Sequence, residues 1–165
     1  MQIGRRSLLS GGVALLALGA AAAALRPMGG SVAAEGSFEV SLSEAEWKAK
    51  LPPNVFEVLR HEATEYPGTS PLLDEHRAGI FSCAGCELPL FDAATKYDSG
   101  TGWPSFYQPL ENAVGESTDH KLGYPRTEVH CRRCGGHLGH VFTDGPQPTG
   151  LRYCMNGLAL TFTPA

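Results

Sequence analysis

The sequence predicts a mainly β domain preceded by short helices. Three observations carry this expectation. Glycine and proline are abundant, 20 and 12 in 165 residues, and they interrupt the chain at short intervals. Past Gly79 the apolar residues fall in short extended runs instead of at helical spacing. Two Cys-x-x-Cys pairs, Cys83/Cys86 and Cys131/Cys134, lie within that strand-rich half, where one bound ion can staple short strands together. The length suits one ordinary domain. An apolar fraction of 42% with 18% charged residues reads as globular.

The chain opens with a targeting segment. Arg5-Arg6 precede an uncharged stretch from Ser7 to Leu25, and Val32-Ala33-Ala34 offers a small-residue cleavage site before Glu35. Paired arginines followed by Ser7-Leu8-Leu9 resemble a twin-arginine export signal, so residues 1–34 are expected to be a signal peptide and 35–165 the working domain. The exported protein is then expected in the periplasm. A tethered form is the alternative, since the 19-residue stretch is near the roughly 20 residues that span a bilayer. Loss of three arginines takes the net charge from −4 to −7. No basic run follows the leader, which argues against nucleic-acid binding. Export in the folded state would let a metal protect paired thiols before they meet an oxidising compartment.

Ser43-Glu44-Ala45-Glu46 reads as a capping box opening a helix to about Lys50. Pro52-Pro53 ends it and starts a second over 54–60, with Val55, Phe56, Val58 and Leu59 as the buried stripe. Pro67-Gly68 and Ser70-Pro71 mark 66–72 as loop. Strands are expected at 80–82, 96–98, 105–108, 127–130, 138–142, 152–154 and 158–162.

The paired cysteines Cys83, Cys86, Cys131 and Cys134 suit a tetrahedral zinc. The two pairs are 44 residues apart, so their knuckles must sit on separate hairpins that meet in space. Redox Cys-x-x-Cys motifs or disulfides are the alternatives, although neither pair opens a helix in a βαβ pattern. Four protein ligands close the site, so the zinc would be structural, and an open-site zinc hydrolase is disfavoured.

Cys154 is left without a partner thiol in sequence, in Leu151-Arg152-Tyr153-Cys154-Met155-Asn156, and is a candidate nucleophile. With it go His137-Leu138-Gly139-His140-Val141-Phe142-Thr143-Asp144 and Asp98-Ser99-Gly100-Thr101-Gly102-Trp103-Pro104-Ser105-Phe106. In that order, over residues 61–162, these motifs closely resemble the B-type methionine-R-sulfoxide reductases. The resemblance implies a β-tent of two antiparallel sheets with short N-terminal helices and a structural zinc opposite the active site. It also implies reduction of methionine-R-sulfoxide, free or in protein, to methionine.

The residue types suit that chemistry. A sulfoxide sulfur becomes electrophilic when its oxygen is protonated, so the enzyme needs a thiolate and an acid. Arg152, His137 and His140 are the cationic candidates that could lower the Cys154 pKa. On a strand, Arg152 and Asn156 share the face of Cys154, and Asn156 could bind the substrate oxygen or a water. By resemblance His137 and His140 line the pocket, with His140 the preferred acid. The same resemblance has Trp103 hold the substrate's ε-methyl group, with Phe142 completing the cage. Attack by Cys154 would leave a sulfenic acid.

The sequence departs from many members of that family at Thr101, where they carry a resolving cysteine, and at Gly157, where serine is frequent. Direct reduction of Cys154 by an external dithiol or a thioredoxin-like partner is therefore expected. The partners are an oxidised protein or peptide and that reductant, and a monomer is expected. A thiol–disulfide oxidoreductase would need a second thiol near Cys154. A zinc-stapled binding module would need neither Cys154, Asn156 nor Trp103.

Overall fold

The fold starts from a capping box that forms as the sequence requires. In this computed structural model, which describes residues 38–165, the Ser43 side chain accepts from Glu46 N and the Glu46 carboxylate accepts from Ser43 N, opening α1 (Glu44–Lys50). The expected leader at 1–34 lies outside the described residues. Pro53 begins α2 (Pro53–His61), which buries Phe56, Val58 and Leu59 and leaves Val55 half-buried. A 3-10 turn at Pro71–Asp74 follows, partly within the stretch expected as loop. Among the described residues no helix is long and apolar enough to cross a membrane.

Nine strands follow: β1 (Gly79–Cys83), β2 (Pro89–Asp92), β3 (Lys96–Tyr97), β4 (Ser105–Phe106), β5 (Val114–Asp119), β6 (Arg126–Cys131), β7 (His137–Phe142), β8 (Arg152–Met155) and β9 (Leu160–Pro164). They form two antiparallel sheets, ordered β2-β1-β9 and β3-β4-β8-β7-β6-β5. All seven expected strands are present, with shifted ends. The last begins at Leu160, because Gly157–Ala159 forms a 3-10 turn. β2 and β5 were not expected. β5 reads VGESTD, too polar to show apolar alternation.

Aromatic side chains pack between the sheets. Phe91 of the small sheet stacks on Phe106 of the large one at 4.3 Å between ring centroids, and Phe81 meets Phe106 edge-on at 5.0 Å. Strand periodicity then divides β8 into two faces. Tyr153 and Met155 point into the core, which forces Arg152 and Cys154 onto the outer face of the large sheet.

Candidate active site and metal centre

The large sheet's register brings the outer-face residues together. Cys154 of β8 pairs with His140 of β7 on one side and with Ser105 of β4 on the other. Residues directly opposite in such a pair have Cβ atoms roughly 5 Å apart, so the imidazole of His140 is the direct cross-strand neighbour of the thiol. Arg152 pairs likewise with Phe142, and its guanidinium lies 4.4 Å from that ring's centroid. It is also held by Asp144 through two bonds of 2.8 Å.

His137 and His140 are three apart, a spacing that puts residues on opposite faces of a regular strand. A bulge brings them to one side. Gly139 pairs with Val129, but His137 pairs with the very next residue, His130, so Leu138 is extra on β7 and resets the phase. The two rings meet edge-on at 5.4 Å. Gly139 itself is required by close approach, since a Cβ there would lie 2.1 Å from the Cys154 carbonyl oxygen.

Each histidine is tied to a carboxylate that the sequence reading did not select. His137 Nδ1 meets Glu128 Oε1 at 2.8 Å, and His140 Nε2 meets Asp119 Oδ2 at 2.8 Å. Asp119 is shared with Arg126, its pair across the β5–β6 hairpin. Burial opposes ionisation of Asp119, but bonds from Lys121 N, His140 and Arg126 outweigh it and hold the carboxyl at about 2. Glu128 is also held low against burial, by bonds from His130, His137 and Ser117. Burial pushes His140 below the usual imidazole value. With Asp119 ionised, the His140 Nε2–H donates to it, which leaves Nδ1 as the free nitrogen. For Glu128 the one available signal was the polar alternation Arg126-Glu128-His130, and Asp119 had none.

A cleft of about 130 Å³ opens over the sulfur, lined by Trp103, Phe142, His140, Arg126, Asn156 and Cys154, with Thr64 and Gly139. His137 stands behind His140 and is buried. Trp103 is fixed by its Nε1, which donates to Glu65 O at 3.1 Å. Asn156 is buried and occupied: its Oδ1 accepts from Glu65 N at 3.1 Å, and its Nδ2 donates to Leu138 O at 3.2 Å. The Glu65 carboxylate, pushed up by burial, receives Gly157 N and Leu158 N. Thr101 lies against the thiol, its Oγ1 3.8 Å from Cys154 Sγ.

The four remaining cysteines form a separate clamp, and none of them lines this cleft. Their sulfurs all lie within 4.8 Å of one another, with Cys83 to Cys134 at 3.7 Å and Cys86 to Cys131 at 3.5 Å. A tetrahedral zinc at about 2.3 Å from each sulfur requires S···S near 3.8 Å, so this donor set fits that ion. The two knuckles are one hairpin used twice. Cys83 O accepts from Glu87 N at 2.8 Å while Cys83 N donates to Leu88 O at 2.9 Å; Cys131 repeats this with Gly135 N and Gly136 O at 2.8 and 2.9 Å. Three cations bind the surrounding carbonyls: Lys50 on Gly85 at 2.7 Å, Arg60 on Cys134 at 3.0 Å and Arg133 on Cys86 at 3.2 Å. They suit the net negative charge of four thiolates around a divalent ion.

A lone thiol in an aromatic-walled cleft, beside histidines oriented by carboxylates and apart from a four-thiol clamp able to hold a metal ion, defines a class: a thiol-based oxidoreductase on a β scaffold. A family model described as the SelR domain matches residues 51–164. Peptide methionine sulfoxide reductase MsrB of Leifsonia xyli subsp. xyli is 51% identical over 134 residues, 80% of this chain and 96% of that protein. The proteins of that name from Pseudomonas putida and Methylibium petroleiphilum are 54% and 50% identical over 120 and 127 residues, covering 72% and 76% of this chain and 90% and 92% of their own lengths. The chain belongs to the SelR-domain family, the B-type methionine sulfoxide reductases.

Proposed function

We propose that this protein reduces methionine-R-sulfoxide, in peptides and as the free amino acid, through Cys154, and so repairs oxidised proteins. The observation that carries the reading is the cross-strand pairing of Cys154 with His140 beneath the Trp103–Phe142 walls. His140 Nδ1 takes the thiol proton, as in other Cys–His pairs. The thiolate attacks the sulfoxide sulfur, and the imidazolium returns the proton to the departing oxygen. Oxygen passes to Cys154 as a sulfenic acid, and the sulfoxide leaves as a thioether, so the thiol is oxidised by the two electrons the sulfoxide gains. Asp119 keeps His140 oriented, and Arg126 keeps Asp119 ionised. His137 and Glu128 pack behind them. The Arg152 guanidinium favours the thiolate, and Trp103 and Phe142 seat the methyl group on sulfur. Asn156, already engaged by Glu65 and Leu138, positions the cleft wall and presents its remaining amide hydrogen.

An external dithiol or thioredoxin-like protein restores Cys154, two thiols giving one disulfide and water. Zinc bound by Cys83, Cys86, Cys131 and Cys134 would supply a structural cross-link and take no part in the chemistry. The twin-arginine motif supports action outside the cytoplasm, with the domain released from its leader or tethered by it, and we take the working form to be a monomer. The test supplies both sulfoxide epimers of a methionine peptide with dithiothreitol. Turnover of the R epimer alone, abolished in Cys154→Ser, is expected; turnover of neither epimer would sink the reading.

A further inference from the structure

A row of three hydroxyls runs from the thiol into the protein. Thr101 Oγ1 is 3.8 Å from Cys154 Sγ, Ser99 Oγ is 2.8 Å from Thr101 Oγ1, and Ser105 Oγ is 2.8 Å from Ser99 Oγ. Ser105 Oγ donates to the Trp103 carbonyl at 3.1 Å. That carbonyl only accepts, and each hydroxyl has one proton, so the direction of the whole row is fixed. Ser105 donates to Trp103, Ser99 to Ser105 and Thr101 to Ser99. Thr101 is then left as an acceptor facing the sulfur, matched to a Cys154 S–H.

The direction must reverse when Cys154 loses its proton or carries an anionic sulfenate. A thiolate cannot donate, so an unreversed row would set two acceptors face to face. Rotation about three C–O bonds turns every proton toward the sulfur, and only the bond to the Trp103 carbonyl is lost. Ser105 is fully buried and Ser99 and Thr101 are half-buried, so water competes weakly for these groups.

We infer that Ser99, Thr101 and Ser105 form a reversible hydrogen-bond relay that donates to the anionic and oxidised forms of Cys154. This chain would thus offer the sulfur a donor where a second thiol could have stood. The inference rests on Cys154 being the nucleophile. Thr101 contacts the reacting atom; Ser99 and Ser105 are positioning residues acting through it. The titratable and charged groups facing Cys154 are His140 on β7, Arg126 on β6, Tyr97 on β3, and Arg152 with its Asp144. All are untouched by changes in the row.

The test does not depend on turnover. The pH dependence of Cys154 alkylation by iodoacetamide reads the thiolate, and dimedone trapping after peroxide treatment reads the lifetime of the sulfenic acid. Thr101→Val keeps the shape and deletes the hydroxyl. It should lower alkylation at neutral pH by about three- to tenfold and shorten the sulfenic acid lifetime. Thr101→Ser should restore both, and Ser99→Ala should reproduce part of the loss without touching the sulfur. Parental alkylation profiles and lifetimes in both Thr101→Val and Ser99→Ala would overturn the relay. Absence of turnover with an intact alkylation effect would instead count against the reductase reading alone.

Discussion

Thr101 Oγ1 stands 3.8 Å from Cys154 Sγ, so the place a second thiol would need is filled by a hydroxyl in contact with the sulfur. Thr101→Cys tests what the chain forgoes. One equivalent of sulfoxide should then consume two thiols and give a disulfide between positions 101 and 154, with water as the second product. The parent should lose one thiol under the same conditions. Thiol titration and mass analysis of alkylated peptides read the difference.

The Asp119 and Glu128 carboxyls give the fold an acid limit. Asp119 sits at about 2 in the folded protein, below its ordinary 3.8, and Glu128 is also held below its ordinary 4.5. A depressed carboxyl contributes stability that is complete above its unfolded value and is lost as pH falls through its folded value. These two carboxyls should therefore make urea midpoints fall between about pH 4.5 and 2. Asp119→Asn should flatten part of that fall. An unchanged acid limb in this variant would disprove the assignment.

Removing the metal should unfold more than the clamp, because its knuckles join β1 of the small sheet to β6 and β7 of the large one. Cys131→Ser is expected to lose bound zinc and to lower Tm by at least about 15 °C. Cys154→Ser should keep both. Metal content and calorimetry on the two variants distinguish scaffold thiols from the working one.

Glu65 ties three parts of the site together: its carbonyl holds Trp103, its amide holds Asn156, and its carboxylate holds the turn after β8. Glu65→Ala keeps the first two bonds and strands the Gly157 and Leu158 amides. A loss of about 2 kcal/mol in unfolding free energy is expected, with a fall in kcat/KM and little change in zinc content. Wild-type stability would show that water satisfies those amides.

The cysteines were the legible residues. Four cysteines at fixed spacing, a fifth left over, and strands cut by glycine and proline are visible without coordinates. Their supporting partners were not. Asp119 and Glu128 reach the histidines only through the pairing of β5, β6 and β7, and β5 lacks the apolar alternation that announces a strand. His137 and His140 share a side because of a bulge at Leu138, which no local pattern foretells. Arg152 shares the face of Cys154 as strand alternation expects and is held by Asp144 on the preceding loop, whereas Asn156 lies just past the end of β8, buried and held by Glu65 and Leu138 far from it in sequence. Element ends depend on such long-range pairing, which is why the last strand begins at Leu160 instead of Leu158.

The repeated knuckle is not equally relaxed in its two copies. The two hairpins match in hydrogen bonding, but Gly135 takes its left-handed φ of 66° freely, whereas Glu87 occupies φ 62° at the equivalent position with a side chain that disfavours it. One jaw is thus pre-shaped and the other must be bent into place at a cost of about 1 kcal/mol. An ion held by all four sulfurs would keep the bent jaw closed and so tie the small sheet to the large one.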